Sequence, residues 1–498
     1  GLLVGNPVAP IVGDAVGAAV AGLLALPGVA ANLGSVIGGL VPDLFAQSGL
    51  FETVADAVGT AVSALVAGQD TTTVIDDLIQ TLRSSTAVQD GLGAFASDAL
   101  SALLGDLTLW NALGAQVSQL ILTLGTSTEV QQFAAQTVSE LVAGLFVGNP
   151  VAPIVGDAVG AAVAGLLASP GVVASVGSVI GGLIPDLFSQ PGLVSAVAGA
   201  VGGAVSALVA GQDTATVIAD LVAALQGSAA VQTGLGAFTA DALNGLLGDV
   251  TLWDALGAQV SQLILTLGTS TEVQQFAAQT VSELVAGLFV GNPVAPIVGD
   301  AVGAAVAGLL ASPGVVASVG SVIGGLIPDL FSQPGLVSAV AGAVGGAVSA
   351  LVAGQDTATV IADLVAALQG SAAVQTGLGA FAADALNGLL GDVTLWDALG
   401  DQVSVLITTL GTNTDVQDYA AETVSDLVAG FLVGNPVAAI VGDAVGAAVA
   451  GLLAAPGVAA SLGSLIGGLL PDLFAQPGLV PVISNALGGA VSALVAGQ

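Results

Sequence analysis

Acidic side chains are the residues of this chain whose type and number could support chemistry. Two facing carboxylates could hydrolyse a glycosidic bond, and a carboxylate cluster could hold Ca²⁺. No spacing marks out a pair, and no stretch has the dense Asp, Asn and Gly pattern of a calcium loop. We interpret the acids as helix caps and solubilising groups, with Ca²⁺ held between neighbouring repeats as the alternative. Residues 145–287 contain Asp157, Asp186, Asp213, Asp220, Asp241, Asp249, Asp254, Glu272 and Glu283, and no basic residue.

The other side chains that catalysis needs are missing. The chain has no Cys and no His, and Arg83 is its one basic residue. Without Cys there is no thiolate nucleophile, and without His the commonest general base and metal ligand is absent. We therefore predict that the protein is not an enzyme, with no catalytic, cofactor-binding or metal-binding residues and no cofactor.

The net charge and the apolar composition limit the classes of partner that this protein could bind. There are 35 acidic residues, and the net charge is −34. This charge repels phosphate, so we predict no nucleic-acid partner, and it also repels anionic lipid headgroups. The apolar share of 55% is too high for a disordered chain.

A long internal repeat dominates the sequence. The string Val-Gly-Asn-Pro-Val-Ala occurs four times, 143 residues apart, with its prolines at Pro7, Pro150, Pro293 and Pro436. We divide the chain into copies at 1–143, 144–286 and 287–429, and a partial fourth copy at 430–498. Because the chain starts at Gly1 without Met, we expect a processed product or part of a longer protein.

Capping signals indicate helices inside each copy. Asn, Ser and Asp accept the first unpaired amide hydrogens of a helix, and Pro fits its first position. Glycines Gly211, Gly227, Gly248 and Gly268 are placed for left-handed C-caps. The predicted helix starts in the second copy are Asn149-Pro150, Ser169-Pro170, Gln190-Pro191, Asp213-Thr214, Ser228-Ala229, Asp249-Val250 and Ser270-Thr271.

The apolar pattern favours helix over strand, since apolar residues recur at three and four positions. These helices have little polar face, so they must be buried on most sides. Glycines at helical spacing allow close approach of two backbones, as in the pairs Gly156 with Gly160, Gly177 with Gly181, and Gly199 with Gly203.

We predict an all-α fold, a tandem-repeat solenoid or superhelical rod with about seven helices of 15–23 residues in each 143-residue repeat. Seven is an odd number, so if every connection were an antiparallel hairpin, successive copies would point in opposite directions. We therefore expect a joint at the short segment Asp213–Gly227.

Few aromatic residues stand out. The repeated Asp249-Val-Thr-Leu-Trp253 predicts core packing or a helix-to-helix staple, with a ligand platform as the alternative. Phe188 and Phe238 are predicted core residues. Tyr419 replaces the Phe found at matching positions, which also suggests packing. Arg83 occurs in one copy only, so it cannot serve a repeated function.

Membrane insertion is a competing interpretation. Residues 158–185 and 187–212 carry no charge, and about 20 residues of helix span a bilayer core. However, Ser-Pro-Gly and Gln-Pro-Gly interrupt these stretches, and no aromatic belt or basic flank is present. We predict no transmembrane insertion, with a looser contact to lipid or cell wall as an alternative.

Units rich in Ala, Gly and Val, with Val-Gly-Asn-Pro and Val-Ser-Ala-Leu-Val-Ala-Gly, resemble the repetitive cell-envelope proteins of actinobacteria, mycobacteria above all. The resemblance covers the whole chain and implies an extracellular or cell-surface location. Neither a Pro-Glu leader nor Gly-Gly-Asn-rich tracts are present, so no functional residue carries over. We expect a structural protein that self-associates into a fibre, filament or stalk. The alternatives are a protein that contacts or encloses lipid, and a passive spacer for another domain.

Overall fold

The structure is a computed structural model that describes residues 8–47, 49–431, 433, 437–455 and 457–497. These residues form helices joined by short turns, with no strand among them. The helices of the described chain are α1 (Ala9–Ala25), α2 (Pro27–Ala46), α3 (Leu50–Val66), α4 (Thr71–Ser84), α5 (Thr86–Leu104), α6 (Leu107–Gly125), α7 (Thr128–Leu145), α8 (Ala152–Ala168), α9 (Pro170–Ser189), α10 (Leu193–Val209), α11 (Thr214–Gly227), α12 (Ala229–Leu247), α13 (Val250–Thr269), α14 (Thr271–Leu288), α15 (Ala295–Leu310), α16 (Pro313–Ser332), α17 (Leu336–Val352), α18 (Thr357–Gly370), α19 (Ala372–Leu390), α20 (Val393–Thr412), α21 (Thr414–Phe431), α22 (Ala438–Ala454), α23 (Val458–Phe474) and α24 (Leu479–Val495).

The all-α prediction is confirmed, and so is the count of seven helices in each described full copy. The helices are 14 to 20 residues long, slightly shorter than predicted. The shortest helix of the second copy is α11, which coincides with the short segment expected from the sequence.

Four of the predicted helix starts are correct because their caps are local interactions. Asp213 accepts from the amides of Ala215 and Thr216, and Ser228 accepts from Val231. Asp249 and Ser270 cap α13 and α14 in the same way. A fifth start, at Pro170, is also correct, since α9 begins at this residue.

Two predicted starts are wrong by two residues. The side chain of Asn149 accepts from the amide of Val151 at 3.0 Å within a turn, and α8 begins only at Ala152. Gln190-Pro191 also precedes its helix. The N-cap of α10 is Gly192, whose φ of 74° is left-handed, a conformation that favours glycine.

The glycine C-caps were predicted correctly at one position of four. Gly211 has φ of 82°, as a left-handed cap requires. Gly227 is the last residue of α11, and Gly248 has φ of −82°. Gly268 lies inside α13, where a Cβ would overlap the side chain of Val316. Its lack of a side chain therefore serves packing between helices.

The chain divides into two compact units. Unit 1 comprises Gly1–Ser127, Pro170–Leu252 and Pro334–Val374. Unit 2 comprises Thr128–Ser169, Trp253–Gln333 and Gln375–Gln498. We call the first three helices of each copy its front helices (α1–α3, α8–α10, α15–α17 and α22–α24). The last three of each full copy are its back helices (α5–α7, α12–α14 and α19–α21).

In unit 1, front helices of one copy pack antiparallel on back helices of the copy before it. The pairs are α5 with α10, α6 with α9, and α12 with α17. The antiparallel sense is seen at the first pair, where Gly93 lies against Ser206 and Ser97 lies against Gly202.

The short helix α11 contacts α10, which packs on the preceding copy, and α12, which packs on the following one. It is therefore the point at which the chain changes partner copy. This is the position predicted for the joint.

Unit 2 contains the same kind of pairing. Helices α7 and α8, α14 and α15, and α21 and α22 form antiparallel pairs across the boundary between copies. Helix α20 packs on α23, and glycines bring α13 to α16 and α19 to α24. Valine and alanine make up most of the buried core of the described residues, for example Val316 in this unit, and Ala198 and Ala341 in unit 1.

Candidate functional site

The repeated feature of greatest structural consequence is a close contact between backbones, made by glycines. In unit 1, Gly114 of α6 faces Gly181 of α9, and a Cβ on either residue would overlap the carbonyl oxygen of the other. In unit 2, the same contact joins Gly257 to Gly324 and Gly400 to Gly467. The site is therefore a helix-packing surface that recurs every 143 residues.

A serine hydroxyl links the two helices at this contact. Ser118 Oγ donates to the carbonyl oxygen of Gly177 in α9 at 2.7 Å and to Gly114 in its own helix at 3.0 Å. In unit 2, Ser261 donates to Gly320 at 2.8 Å. The hydroxyl group thus has hydrogen-bond partners in both helices, and the bond to the second helix joins two copies.

The next helix pair is lined by glycines as well. A Cβ on Gly93 of α5 would lie 2.7 Å from the carbonyl oxygen of Gly202 in α10, closer than real Cβ atoms come. The predicted packing pair Gly199 and Gly203 is wrong, because no heavy atom from another described helix lies within 4 Å of a Cβ at either. Gly202 occupies the contacting face instead.

The third pair adds a polar contact across the copy boundary. Gly156 and Gly160 of α8 lie against the backbone oxygens of Ser139 and Ala135 in α7, as their spacing predicted. Beside them, Ser139 Oγ donates to Asp157 at 2.8 Å. The same hydrogen bond is 2.7 Å from Ser282 to Asp300 and 2.9 Å from Ser425 to Asp443.

The tryptophans join copies by stacking. Trp110 of α6 stacks on Phe188 of α9, with ring centroids 3.9 Å apart and planes 17° apart. In unit 2 the same stacking joins Trp253 to Phe331 at 3.7 Å. The indole Nε1 of Trp110 also donates to the carbonyl oxygen of Leu104 at 2.8 Å. The tryptophan is thus a helix-to-helix staple, one of the two roles expected from its motif.

Three other aromatic residues are not simply buried core residues. Phe188 and Phe238 are half-buried. The hydroxyl of Tyr419 accepts a hydrogen bond from Asn292 Nδ2 at 2.9 Å within unit 2. Tyr419 therefore adds a polar contact that a Phe at the same position cannot make.

The acids of the second copy serve separate helices. Asp213 and Asp249 cap helices, and Asp249 also accepts from Ser175. Asp241 accepts from Gln190, and Glu283 accepts from Gln279 at 2.9 Å. Asp186, Asp220 and Asp254 lie exposed on helices. Among the described residues, no group of three or more Asp, Glu, His or Cys side chains is placed to hold a metal ion.

Glu272 lies in the first turn of α14. Its own backbone amide lowers the pKa of its carboxyl below the ordinary value, with a further contribution from the Ser270 hydroxyl at 3.0 Å. Desolvation opposes this shift. The carboxylate is therefore favoured over the acid at the helix N-terminus.

No protein family, curated protein or solved structure matches this chain. Its surface carries apolar side chains at recurring positions in unit 2, where the back helices end. Leu145 is 75% exposed and Val147 86%, and the matching Leu288 and Val290 are 75% and 85% exposed. This repeated apolar edge is available to a partner.

Some helices are also long and apolar enough to cross a membrane. By length and composition alone, two helices in the described part of the chain could span a bilayer, Gly171–Ser189 and Pro313–Ser332. Up to seven spans result if each bent helix pair is one span.

Proposed function

We propose that this protein is structural and that its repeats self-associate into a fibre, stalk or layer outside the cell. The observation that carries this proposal is the recurrence of one inter-copy contact at Gly114–Gly181, Gly257–Gly324 and Gly400–Gly467. A contact that identical copies can repeat extends an assembly without limit when the association is head-to-tail.

Within the chain, we propose that the copies build a solenoid or superhelical rod. Each copy contributes front helices that pack on the copy before it and back helices that receive the copy after it. The change of partner at α11 supports this arrangement, because it allows every copy to meet its neighbours in the same way. Stability would then be a sum over copies and their interfaces.

The remaining properties that we propose follow from composition. A chain without His or Cys lacks the usual bases and nucleophiles, which favours a role other than catalysis. The charge of −34 disfavours nucleic acid as a partner. The resemblance to actinobacterial envelope proteins supports a place at the cell surface.

Negative-stain electron microscopy of the purified chain, with sedimentation over a range of concentrations, tests the proposed function. We expect elongated particles or filaments that grow with concentration and persist in mild detergent. Compact particles that stay in solution only with detergent would contradict it.

Contact with lipid is the second candidate function, and specific observations favour it. Besides the apolar edge at Val147 and Val290, each unit contains an apolar cavity of about 310–320 Å³, at the lower limit of the volume of ligand sites. Flotation of the chain with neutral phosphatidylcholine vesicles tests this candidate. Co-flotation that Val147→Asp with Val290→Asp abolishes would support it, and a chain that stays at the bottom of the gradient would exclude it.

A further inference from the structure

Helix α21 carries an exposed apolar edge that recurs in the other full copies. Leu427 is 59% exposed and Phe431 82%, and the matching Leu284 and Leu288 of α14 are 65% and 75% exposed. All four residues belong to unit 2. Because an interior copy exposes the same positions, the exposure is a property of the repeat and not of one place in the chain. Exposed apolar side chains that lie together mark interaction sites.

Three carboxylates lie beside the apolar edge of the third copy. Asp418, Glu422 and Asp426 follow one another at steps of four residues, which places them on one face of α21, and all three are exposed. We call these three residues the acidic row. Asp426 directly precedes Leu427, so the row and the edge run side by side, about 100° apart around the helix. The first two acids are specific to this copy, because glutamine occupies both positions in α7 and α14.

The acidic row is unfavourable for α21 on its own. In α14, Gln279 donates a hydrogen bond to Glu283 at 2.9 Å, whereas the corresponding residues of α21 are Glu422 and Asp426. Two carboxylates four residues apart on a helix repel each other. Neither lies in the first turn of α21, where the helix dipole would favour an acid. Helix capping therefore does not account for the row.

The chain has almost no positive charge that could balance the row. Its one basic residue is Arg83, and the third copy has none. A ligand that compensates the row must therefore supply its own positive charges, about one helical turn apart. An apolar seam with charged residues along its flank is the arrangement by which two helices pair. The face of α21 thus matches a helix with Lys or Arg beside its apolar residues.

Two other occupants fit this face less well. A lipid bilayer could cover Leu427 and Phe431, but it would bring the neighbouring carboxylates close to hydrocarbon, and anionic headgroups would repel them. A second copy of this chain would place another acidic surface against the row, and like charges across an interface are unfavourable. Charge complementarity therefore favours a cationic partner.

We propose that the exposed face of α21 binds a cationic amphipathic helix of a partner protein. Lys or Arg side chains of that helix pair with the acidic row, and its apolar side chains cover Leu427 and Phe431. Another side of α21 contacts the next copy, where Ala421 and Ser425 lie against glycines of α22. Binding at the exposed face leaves that contact intact, so it does not depend on whether the repeats form a fibre.

A defined peptide tests the site in the full chain. The probe is a fluorescently labelled peptide of Leu and Lys whose Leu residues recur at three and four positions, the spacing of a helix with one apolar face. A peptide of the same composition in scrambled order is the control. We expect fluorescence anisotropy to show saturable binding of the first peptide at one site per chain, with about tenfold weaker binding of the second. Equal affinities would overturn the site, because net charge alone would then explain the binding.

The acidic row is tested by giving α21 the glutamines of α14. Asp418→Gln with Glu422→Gln removes two of the three acids, and we expect about tenfold weaker binding of the amphipathic peptide. Asp254→Gln with Asp397→Gln removes the same charge from exposed positions of α13 and α20 in unit 2, and it should leave the affinity unchanged. Equal losses from the two pairs would contradict a site on α21.

The reciprocal change creates a site and does not rely on a loss of binding. Gln275→Asp with Gln279→Glu gives α14 an acidic row beside its own apolar edge, Leu284 and Leu288. We expect the number of amphipathic peptides bound per chain to rise from one to two. A number that stays at one would show that the row and the edge together do not form the site.

The apolar edge is tested by Leu427→Ser with Phe431→Ser. We expect about tenfold weaker binding of the amphipathic peptide, whereas Leu284→Ser with Leu288→Ser in α14 should have no effect. The same variants identify the other occupants. Oligomers, or flotation with phosphatidylcholine vesicles, that only the first pair abolishes would assign the face to a second copy or to lipid. Either result, in a chain that does not bind the peptide, would overturn the proposal.

Discussion

Ser118 of α6 donates a hydrogen bond to the carbonyl oxygen of Gly177 in α9, with 2.7 Å between the two oxygens. The residues are 59 positions apart and belong to different copies of the repeat. The bond forms because Gly114 and Gly181 beside it have no side chains, which lets the two backbones meet. The same geometry recurs at Ser261 and Gly320.

The same substitution at two adjacent glycines of α9, Gly181 and Gly182, should change the free energy of unfolding in opposite directions. Gly181→Ala adds a methyl group against Ser118 and Gly114, so we expect the free energy of unfolding to fall by about 1–3 kcal/mol. The added methyl group of Gly182→Ala meets no atom of another described helix within 4 Å, and a helical Ala should raise the free energy of unfolding by about 0.5–1 kcal/mol. Denaturant unfolding followed by circular dichroism measures both. Equal effects of the two variants would show that Gly181 makes no tight contact.

The stacked pair Trp110 and Phe188 should be energetically coupled. Their ring planes lie 17° apart in a stacked arrangement, and such an aromatic pair contributes about 0.5–1.5 kcal/mol beyond burial. We expect that coupling from a double-mutant cycle of Trp110→Leu, Phe188→Leu and the combined variant. A coupling energy near zero would mean that the rings only fill space.

Tyr419 should stabilise the chain through Asn292. Tyr419→Phe removes the 2.9 Å hydrogen bond, and we expect a loss of about 0.5–1.5 kcal/mol in the free energy of unfolding. The reverse change, Phe276→Tyr, places a hydroxyl at the matching position near Asn149 and should raise stability. Thermal unfolding of the two variants checks this pair, and a Tyr419→Phe variant as stable as the original would contradict it.

The pKa of Glu272 leads to a pH-dependent prediction. A carboxyl whose pKa is lower in the folded than in the unfolded state stabilises the fold above the unfolded pKa. This contribution is lost as the pH falls through the folded pKa. Glu272→Gln should therefore destabilise the chain at pH 7. The difference should shrink as the pH falls below the ordinary value of 4.5 and vanish once it is below the lower pKa of the folded state.

Glu283→Gln is the matched control for this titration. It removes the same charge near the other end of α14, where the helix dipole disfavours an anion, so it should not destabilise the chain at pH 7. A Glu272→Gln variant whose deficit persists unchanged at low pH would show that the carboxylate is not the stabilising form. Unfolding curves across the pH range, followed by circular dichroism, provide the measurement.

Local signals in the sequence predicted the helix starts better than the glycine C-caps. The side chains of Asp213 and Ser228 bond to amides no more than three residues away, so the residue type at the cap position was enough to identify these helix starts. Gln190-Pro191 misled because the conformation of Gly192, two residues on, decides where α10 begins. The short spacing between the caps at Asp213 and Ser228 also predicted the short helix α11, since it depends only on local signals.

Contacts between copies were less predictable. The choice of Gly202 over Gly199 and Gly203 depends on which face of α10 meets α5, more than 100 residues earlier. Gly268 was predicted to cap a helix, whereas Val316 of the next copy explains its lack of a side chain. Periodicity identifies an apolar helix but does not say which neighbour covers it.

Disulfide trapping across α6 and α9 tests most directly whether neighbouring copies associate through the glycine-lined contact. The Cβ of Ile121 lies 3.6 Å from a Cβ placed on Gly177, within the range of about 3.5–4.5 Å for disulfides. In the otherwise cysteine-free chain, Ile121→Cys with Gly177→Cys should oxidise fully within the monomer. Ile121→Cys with Gly182→Cys should stay reduced under the same conditions. Equal oxidation of the two pairs, or oxidation only of the second, would contradict the packing of one copy on the next.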